Sequence, residues 1–89
     1  MQDIRINIQN AEHFKNAFGI DINKIKGMEL LDDFEKEHVT KGIIALVNNV
    51  GLECKHEFIT YKVERATRKR YKLYTKRGYS YLYSTGGIG

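Results

Sequence analysis

The stretch KVERATRKRYKLYTKR, residues 62–77, decides the fold of this chain. In its second half Tyr71 and Leu73 alternate with the basic residues Arg70 and Lys72, and this alternation is typical of a β-strand with one buried face. We interpret the stretch as two strands joined by a basic loop. One face of the resulting ribbon is expected to be anchored on the rest of the protein, and the other to carry charge.

The same stretch carries more than half of the positive charge of the chain. It holds eight lysines and arginines against one acid, Glu64. Residues 1–50 carry six basic and eight acidic side chains, a net charge of −2, whereas residues 51–89 carry nine basic and three acidic ones, a net charge of +6. This asymmetry predicts a nucleic acid or another polyanion as the partner, because cations that neutralise phosphates release condensed counterions.

Patterns of strand and helix precede the basic stretch. Residues 3–8 place isoleucine at every second position and predict a half-buried strand. Asn10 predicts the N-cap of a short helix that stops at Gly19. Further apolar spacings predict a helix over residues 27–37 and another, capped by Thr40, that ends at Gly51.

Beyond Gly51 the periodicity is typical of strands. Residues 56–63, 68–75 and 79–85 predict three strands, and residues 76–78 predict a hairpin connection between the last two. A loose tail or a final helical turn is the alternative for residues 79–85. The fold predicted is α+β: an N-terminal strand, two or three helices, then a C-terminal antiparallel hairpin or three-stranded sheet.

Length and composition restrict the class of protein. A chain of 89 residues has room for one core, so we expect a single domain over residues 1–84 and a flexible tail at residues 85–89. A homodimer or another partner would complete a core this small. The single cysteine, Cys54, cannot form an internal disulfide, and no signal peptide or membrane-spanning run is visible. These features predict a cytoplasmic protein with no membrane partner.

The basic side chains of the hairpin are the predicted contacts to nucleic-acid phosphates. They are Arg65, Arg68, Lys69, Arg70, Lys72, Lys76 and Arg77. The alternative is a solvated strand edge that its lysines protect against aggregation.

The tyrosines add a second candidate feature. All six lie within residues 61–83, and Tyr79, Tyr81 and Tyr83 share one side of an extended segment. Stacking of unpaired bases on Tyr74, Tyr79 and Tyr81 is one interpretation, and a packed sheet face is the other.

Metal binding and catalysis have little support in the sequence. Cys54 and His56 lie two positions apart and His13 and His38 are scattered, whereas structural zinc sites usually have paired ligands. The sequence has no phosphate-binding loop, nucleophile elbow or HExxH motif. We therefore expect no metal, no cofactor and no enzymatic activity.

Two segments, VTKGIIALVNNVGLE and ATRKRYKLYTKRGYSYL, give residues 39–82 a resemblance to winged helix-turn-helix domains of the PadR/MarR kind. The first is similar to the helix with its Gly-Leu exit, and the second to the basic wing and its Tyr-x-Leu-x-Thr strand. The resemblance implies a DNA-binding regulator, in which Lys41, Asn48 and Asn49 approach the major groove and residues 65–70 lie in the wing.

Two other classes of function stay open. The segment RYKLYTKRGYSYLYS resembles RelE-type mRNA interferases, which implies cleavage of RNA. A small inhibitor carried by a phage or mobile element is the third hypothesis, because size and polarised charge also fit a protein that covers an acidic protein or a nucleoprotein complex.

Overall fold

The computed structural model of the chain describes residues 7–67 and 70–83, without the side chains of residues 52–54 and 67. Two α-helices come first, α1 at Ala11–Phe18 and α2 at Asp33–Val50. Three strands follow: β1 at Lys62–Thr67, β2 at Arg70–Thr75 and β3 at Gly78–Tyr83. Short 3-10 helices lie at Ile22–Lys24, Met28–Leu30 and Leu52–Phe58. The predicted α+β order, helices followed by a three-stranded antiparallel sheet, is confirmed.

Some predicted segments lie wholly or partly outside residues 7–67 and 70–83. The predicted N-terminal strand, residues 3–8, lies outside it except for Asn7 and Ile8, which are not in a strand. The last two residues of the predicted strand 79–85 and the predicted tail, residues 85–89, also lie outside the described residues.

Helix α1 forms where its caps predict it. The Asn10 side chain accepts a hydrogen bond from the His13 backbone N–H at 2.9 Å, and Gly19 ends the helix in the left-handed conformation at φ 72°. Phe14 and Phe18, one turn apart, are buried and stack with ring centroids 4.8 Å apart. The helix is therefore fixed by local caps and by one aromatic face.

Helix α2 begins at a capping box. The Asp32 carboxylate accepts from the Glu35 N–H at 2.8 Å, and the Glu35 carboxylate accepts from the Asp32 N–H at 3.0 Å. Val39, Ile43 and Val47 then continue a buried stripe at intervals of four residues. This stripe keeps one side of the helix in the core along its whole length.

The predicted break between two helices at Thr40 is wrong. Thr40 lies inside α2, because the buried stripe continues across it and a threonine acts as an N-cap only where the chain enters a helix. The predicted start of the preceding helix, at residue 27, is also wrong. Gly27 has a left-handed φ of 102°, so the helix begins only at Asp33.

Of the predicted strand over residues 56–63, only Lys62 and Val63 lie in a strand, and the preceding residues belong to the 3-10 helix Leu52–Phe58 and the turn after it. Phe58 and Tyr61, three positions apart, are both buried, with ring centroids 5.0 Å apart, while Ile59 between them is 52% exposed. Alternate burial therefore starts only with β1, at Lys62–Thr67.

Strand β2 lies in the middle of the sheet and pairs antiparallel with β1 and β3. Val63, Tyr71 and Leu73 are buried on the side of the sheet that packs against the helices, and Leu82 lies against Gly42 of α2. The predicted hairpin connection is confirmed, since Thr75 pairs with Gly78 across it. Burial of one face fixes the register, because a shift of one residue would expose the buried set.

A buried polar contact ties α2 to the sheet. The Tyr71 hydroxyl donates to Glu35 Oε2 at 2.9 Å, and Arg65 Nε lies 3.2 Å from the same oxygen. Burial, together with the hydrogen bond to Glu35, raises the pKa of Tyr71 to about 12. By contrast, the buried Tyr61 hydroxyl has no hydrogen-bond partner among the described residues. Burial raises the pKa of Tyr61 well above the ordinary value for tyrosine.

Removal of the hydroxyl group from these two tyrosines should change the free energy of unfolding in opposite directions. Tyr71→Phe should lower the free energy of unfolding by about 1.5–3 kcal/mol, because a hydrogen bond to a carboxylate is lost. Tyr61→Phe should raise it by about 1 kcal/mol, because an unpaired buried hydroxyl is removed. Chemical denaturation at neutral pH measures both values, and equal signs for the two variants would contradict the assigned hydrogen bonding.

The difference in the free energy of unfolding between wild type and Tyr71→Phe should also depend on pH. The pKa of Tyr71 is about 10 in the unfolded chain and about 12 in the fold, so its stabilisation is complete below pH 10 and is lost as the pH rises through 12. Tyr61 titrates in both proteins and therefore cancels in the comparison.

Candidate nucleic-acid interface

The sheet has a second face, which points away from the helices. Because side chains alternate along a strand, burial of Tyr71 and Leu73 turns their neighbours Arg70, Lys72 and Tyr74 outward. The register places Tyr79, Tyr81 and Tyr83 opposite these three on β3, and Lys62 and Glu64 opposite Tyr74 and Lys72 on β1. We call the following set the outer face: Lys62, Glu64, Arg70, Lys72, Tyr74, Tyr79, Tyr81 and Tyr83.

The cations of the outer face lie over tyrosine rings. Lys72 Nζ is 4.3 Å from the ring centroid of Tyr79, 5.2 Å from that of Tyr74 and 6.0 Å from that of Tyr81. The Arg70 guanidinium lies 4.6 Å from the Tyr81 centroid. These are cation–π contacts, which hold a charge in place without neutralising it.

Lys72 lies at the centre of this arrangement. A hydrogen bond with Tyr74, together with the electrostatic effect of the neighbouring phenol groups, raises the pKa of its amine above the ordinary value. The ammonium group is therefore charged throughout the neutral range. Glu64 is the one acid in the outer face as defined above, and its carboxylate accepts a hydrogen bond from the Tyr74 hydroxyl at 2.7 Å.

The tyrosines of β3 are open to solvent. Tyr79 is 58% exposed, Tyr81 38% and Tyr83 46%. Tyr79 and Tyr81 meet edge to face, with ring centroids 5.5 Å apart, and Tyr74 lies 6.3 Å from Tyr79. The prediction that the three alternate tyrosines share one side of an extended segment is therefore confirmed, and that side is not the packed one.

The predicted phosphate contacts of the hairpin differ in their surroundings. Arg70 and Lys72 belong to the outer face, and Lys76 is exposed in the turn between β2 and β3. Arg65 is paired with the buried Glu35 at 3.2 Å, and Arg77 is paired with Glu57 at 3.0 Å. Arg68 and Lys69 lie outside the described residues.

The three residues that the winged-helix resemblance assigns to a groove lie on α2, across the sheet from the outer face. Lys41 forms an exposed ion pair with Glu37 at 3.2 Å. The Asn48 side chain donates to the Ile8 carbonyl oxygen and accepts from the Ile8 N–H, both at 2.8 Å, so its amide serves the fold. Asn49 is exposed.

Lys62 is not among the contacts predicted from the sequence, but it belongs to the outer face. Its Nζ lies 5.3 Å from the Tyr74 ring centroid, on the edge of the outer face. The alternation of β1 contains the signal, because the inward side chain of Val63 turns Lys62 outward.

Two other features, a cluster of metal ligands and a membrane-spanning helix, are absent from the part of the chain that the structure describes. No three histidine, cysteine, aspartate or glutamate side chains there converge as metal ligands. No helix there is both long enough and apolar enough to cross a membrane.

Comparison of the chain with protein-family models, with curated proteins and with solved structures finds no match. The resemblances to winged-helix domains and to mRNA interferases therefore stay predictions. Fold and site together define a small α+β domain with an exposed, basic and aromatic sheet face.

Proposed function

We propose that this protein binds nucleic acid through the outer face of its sheet. Lys62, Arg70 and Lys72 contact phosphates, and in the free protein the tyrosine rings hold these cations on the outer face. The observation that supports this proposal most directly is the set of cation–π contacts at 4.3–5.3 Å that keeps three cations on one exposed face.

The partners of the other cations support the same surface. Arg65 and Arg77 have much of their charge compensated by Glu35 and Glu57. The rings beside Lys72 carry no charge, so its positive charge is available to a polyanion and is offset only in part by Glu64 on the paired strand. Phosphate contacts of this kind give affinity that depends on salt and carries little sequence specificity.

A triple charge variant tests the proposal. The variant combines Lys62→Gln, Arg70→Gln and Lys72→Gln. It should bind short DNA and RNA about 10-fold or more weakly than wild type, and the negative slope of log K against log salt should become shallower by about 2 to 3. Fluorescence anisotropy over a salt series measures both quantities, and circular dichroism verifies the fold.

The matched control removes the same charge elsewhere. Lys15→Gln, Lys24→Gln and Lys55→Gln change three exposed lysines outside the sheet. This control should retain most of the affinity. Equal losses in the two triple variants would attribute binding to net charge alone and would overturn the proposed interface.

The winged-helix hypothesis is tested in the same titration. A variant with Lys41→Gln and Asn49→Ala leaves the outer face intact, and Asn48 is left unchanged because its amide holds Ile8. Loss of DNA binding in this variant, with the outer-face variant unaffected, would favour groove contacts by α2 and would reject the sheet surface.

A protein partner is the second candidate, favoured by a separate observation. Leu30 and Phe34 are 68% and 72% exposed at the entry to α2, beside the acidic residues Glu29 and Asp33. Large exposed apolar side chains are typical of interaction surfaces when they cluster. A defined partner that survives nuclease treatment, and that Leu30→Ser with Phe34→Ser releases, would favour the inhibitor hypothesis over nucleic-acid binding.

A further inference from the structure

We infer that the ligand of the outer face is single-stranded nucleic acid, whose unpaired bases stack on Tyr79, Tyr81 and Tyr83. The inference rests on the proposed function and adds the class of ligand. Its basis is the combination of exposed rings and cations that lie over these rings on one surface.

The exposed rings have no packing role comparable to that of their neighbours. On β3 the inward position is filled by Leu82, which packs against α2 at Gly42. The outward positions of an antiparallel sheet that packs on one side are normally polar. Three outward tyrosines in succession therefore offer ring surface to a ligand rather than to the core.

The geometry of the rings indicates how bases would be accommodated. Tyr79 and Tyr81 meet edge to face at 5.5 Å, which is too close and too tilted for a base to insert between them. Each ring instead offers a solvent-facing side to one base. Stacking of this kind tolerates any sequence, because every base has a flat aromatic surface.

Lys72 couples stacking to phosphate binding. In the free protein its ammonium lies over the Tyr79 ring at 4.3 Å. A base stacked on an aromatic ring contributes more than an exposed cation–π contact does, so an incoming base can displace the ammonium. The displaced ammonium then lies within reach of the backbone phosphate of the same nucleotide. Stacking of the base on Tyr79 and the contact between Lys72 and the phosphate thus form in the same step.

Duplex nucleic acid does not fit this surface as well. Paired bases are stacked on each other inside the duplex, so their flat sides are not available. The major groove of DNA admits a helix or a two-stranded ribbon, whereas the outer face extends across three strands.

The test compares probes and variants. Wild type should bind a single-stranded oligonucleotide about 10-fold or more tightly than a hairpin duplex of equal charge. Tyr79→Ala with Tyr81→Ala should lose about 10-fold or more of the single-strand affinity at an unchanged salt slope. The control Tyr79→Phe with Tyr81→Phe keeps the rings and should bind within about threefold of wild type.

An abasic oligonucleotide, which has the phosphates without the bases, gives a test that needs no variant. It should bind wild type at least as weakly as the base-containing strand binds the alanine variant, which retains Tyr83, and it should leave tyrosine fluorescence unquenched. Equal affinity for the abasic and the base-containing strand would overturn base stacking.

The two proposals fail in different ways. Equal binding of duplex and single strand, with loss only in the triple charge variant, would reject stacking and leave the proposed phosphate contacts in place. Absence of binding to every probe at low salt would reject both. Loss of affinity in the phenylalanine control equal to that in the alanine variant would attribute the effect to the hydroxyl groups and reject stacking.

Discussion

Gly27→Ala is expected to lower the free energy of unfolding by about 3 kcal/mol or more, a large part of the stability of a domain this small. Gly27 has a φ of 102°, where a side chain is strained, and a Cβ there would overlap the carbonyl oxygen of Val63. That carbonyl belongs to the backbone of β1, so it cannot rotate away as the end of a side chain could.

The close approach at Gly27 is part of the attachment of β1. The Val63 N–H donates to the Lys26 carbonyl oxygen at 2.6 Å, and Lys26 forms a parallel bridge with Lys62. The segment before α2 thus runs along the edge of the sheet. Pushing the two backbones apart would break this hydrogen bond and loosen the strand that carries Lys62.

Gly19→Ala is the matched control, and thermal unfolding is the measurement. Gly19 is also left-handed, at φ 72°, but a Cβ there would meet nothing within 4 Å. We expect Gly19→Ala to cost about 1 kcal/mol, and Gly27→Ala to lower the midpoint by about 12 °C or more. Similar losses for the two variants would show that backbone strain alone, without the contact to Val63, accounts for the effect.

Features that depend on neighbouring residues were predictable from the sequence. Asn10 and Gly19 delimit α1 because both act on backbone groups within one turn. The alternation around Tyr71 and Leu73 predicts the buried face of β2, and Gly78 supports the predicted hairpin. In each case the signal and the structure that it determines lie a few residues apart.

Features that depend on distant partners were not predictable in this way. Thr40 has the local properties of an N-cap, but packing of Val39 and Ile43 in the core continues α2 through it. Ile59 has strong strand propensity and is nevertheless exposed in a turn, because Phe58 and Tyr61 both pack inward. Tertiary contacts decide these segments against their local preference.

The candidate site also combines features that neighbouring residues determine with features that distant partners determine. The excess of positive charge in the hairpin is visible in the sequence, but the subset of cations that form ion pairs is not. Arg65 and Arg77 find acids 30 and 20 positions earlier in the chain, at Glu35 and Glu57. Only the folded arrangement distinguishes these arginines from Lys72.

Glu35→Ala should cost about 3 kcal/mol, the second large effect that we expect, because one buried carboxylate serves three partners. Its Oε1 accepts from the Asp32 N–H at 3.0 Å, and its Oε2 accepts from the Tyr71 hydroxyl at 2.9 Å and pairs with Arg65 at 3.2 Å. The capping contact contributes about 1 kcal/mol and the hydrogen bond from Tyr71 about 1.5–3 kcal/mol, while the half-exposed Arg65 adds little.

Glu37→Ala provides the control on the same helix. Glu37 is exposed and pairs with Lys41 at 3.2 Å, four residues away, so its removal should cost no more than about 0.5 kcal/mol. Urea denaturation of both variants measures the difference. Equal costs would show that the contacts of Glu35 contribute no more than a surface ion pair.

The double variant Glu35→Ala with Tyr71→Phe separates the shared hydrogen bond from the cap. If the Tyr71 hydroxyl acts through Glu35, removing it should no longer lower stability once the carboxylate is gone, because the hydroxyl is then as unpaired as that of Tyr61. The double variant should therefore be more stable than the sum of the single losses predicts, with a coupling of about 1.5–3 kcal/mol. Additive losses would mean that the two side chains stabilise the fold independently. Coupling would identify this buried contact as the link that holds β2, and with it Lys72, against α2.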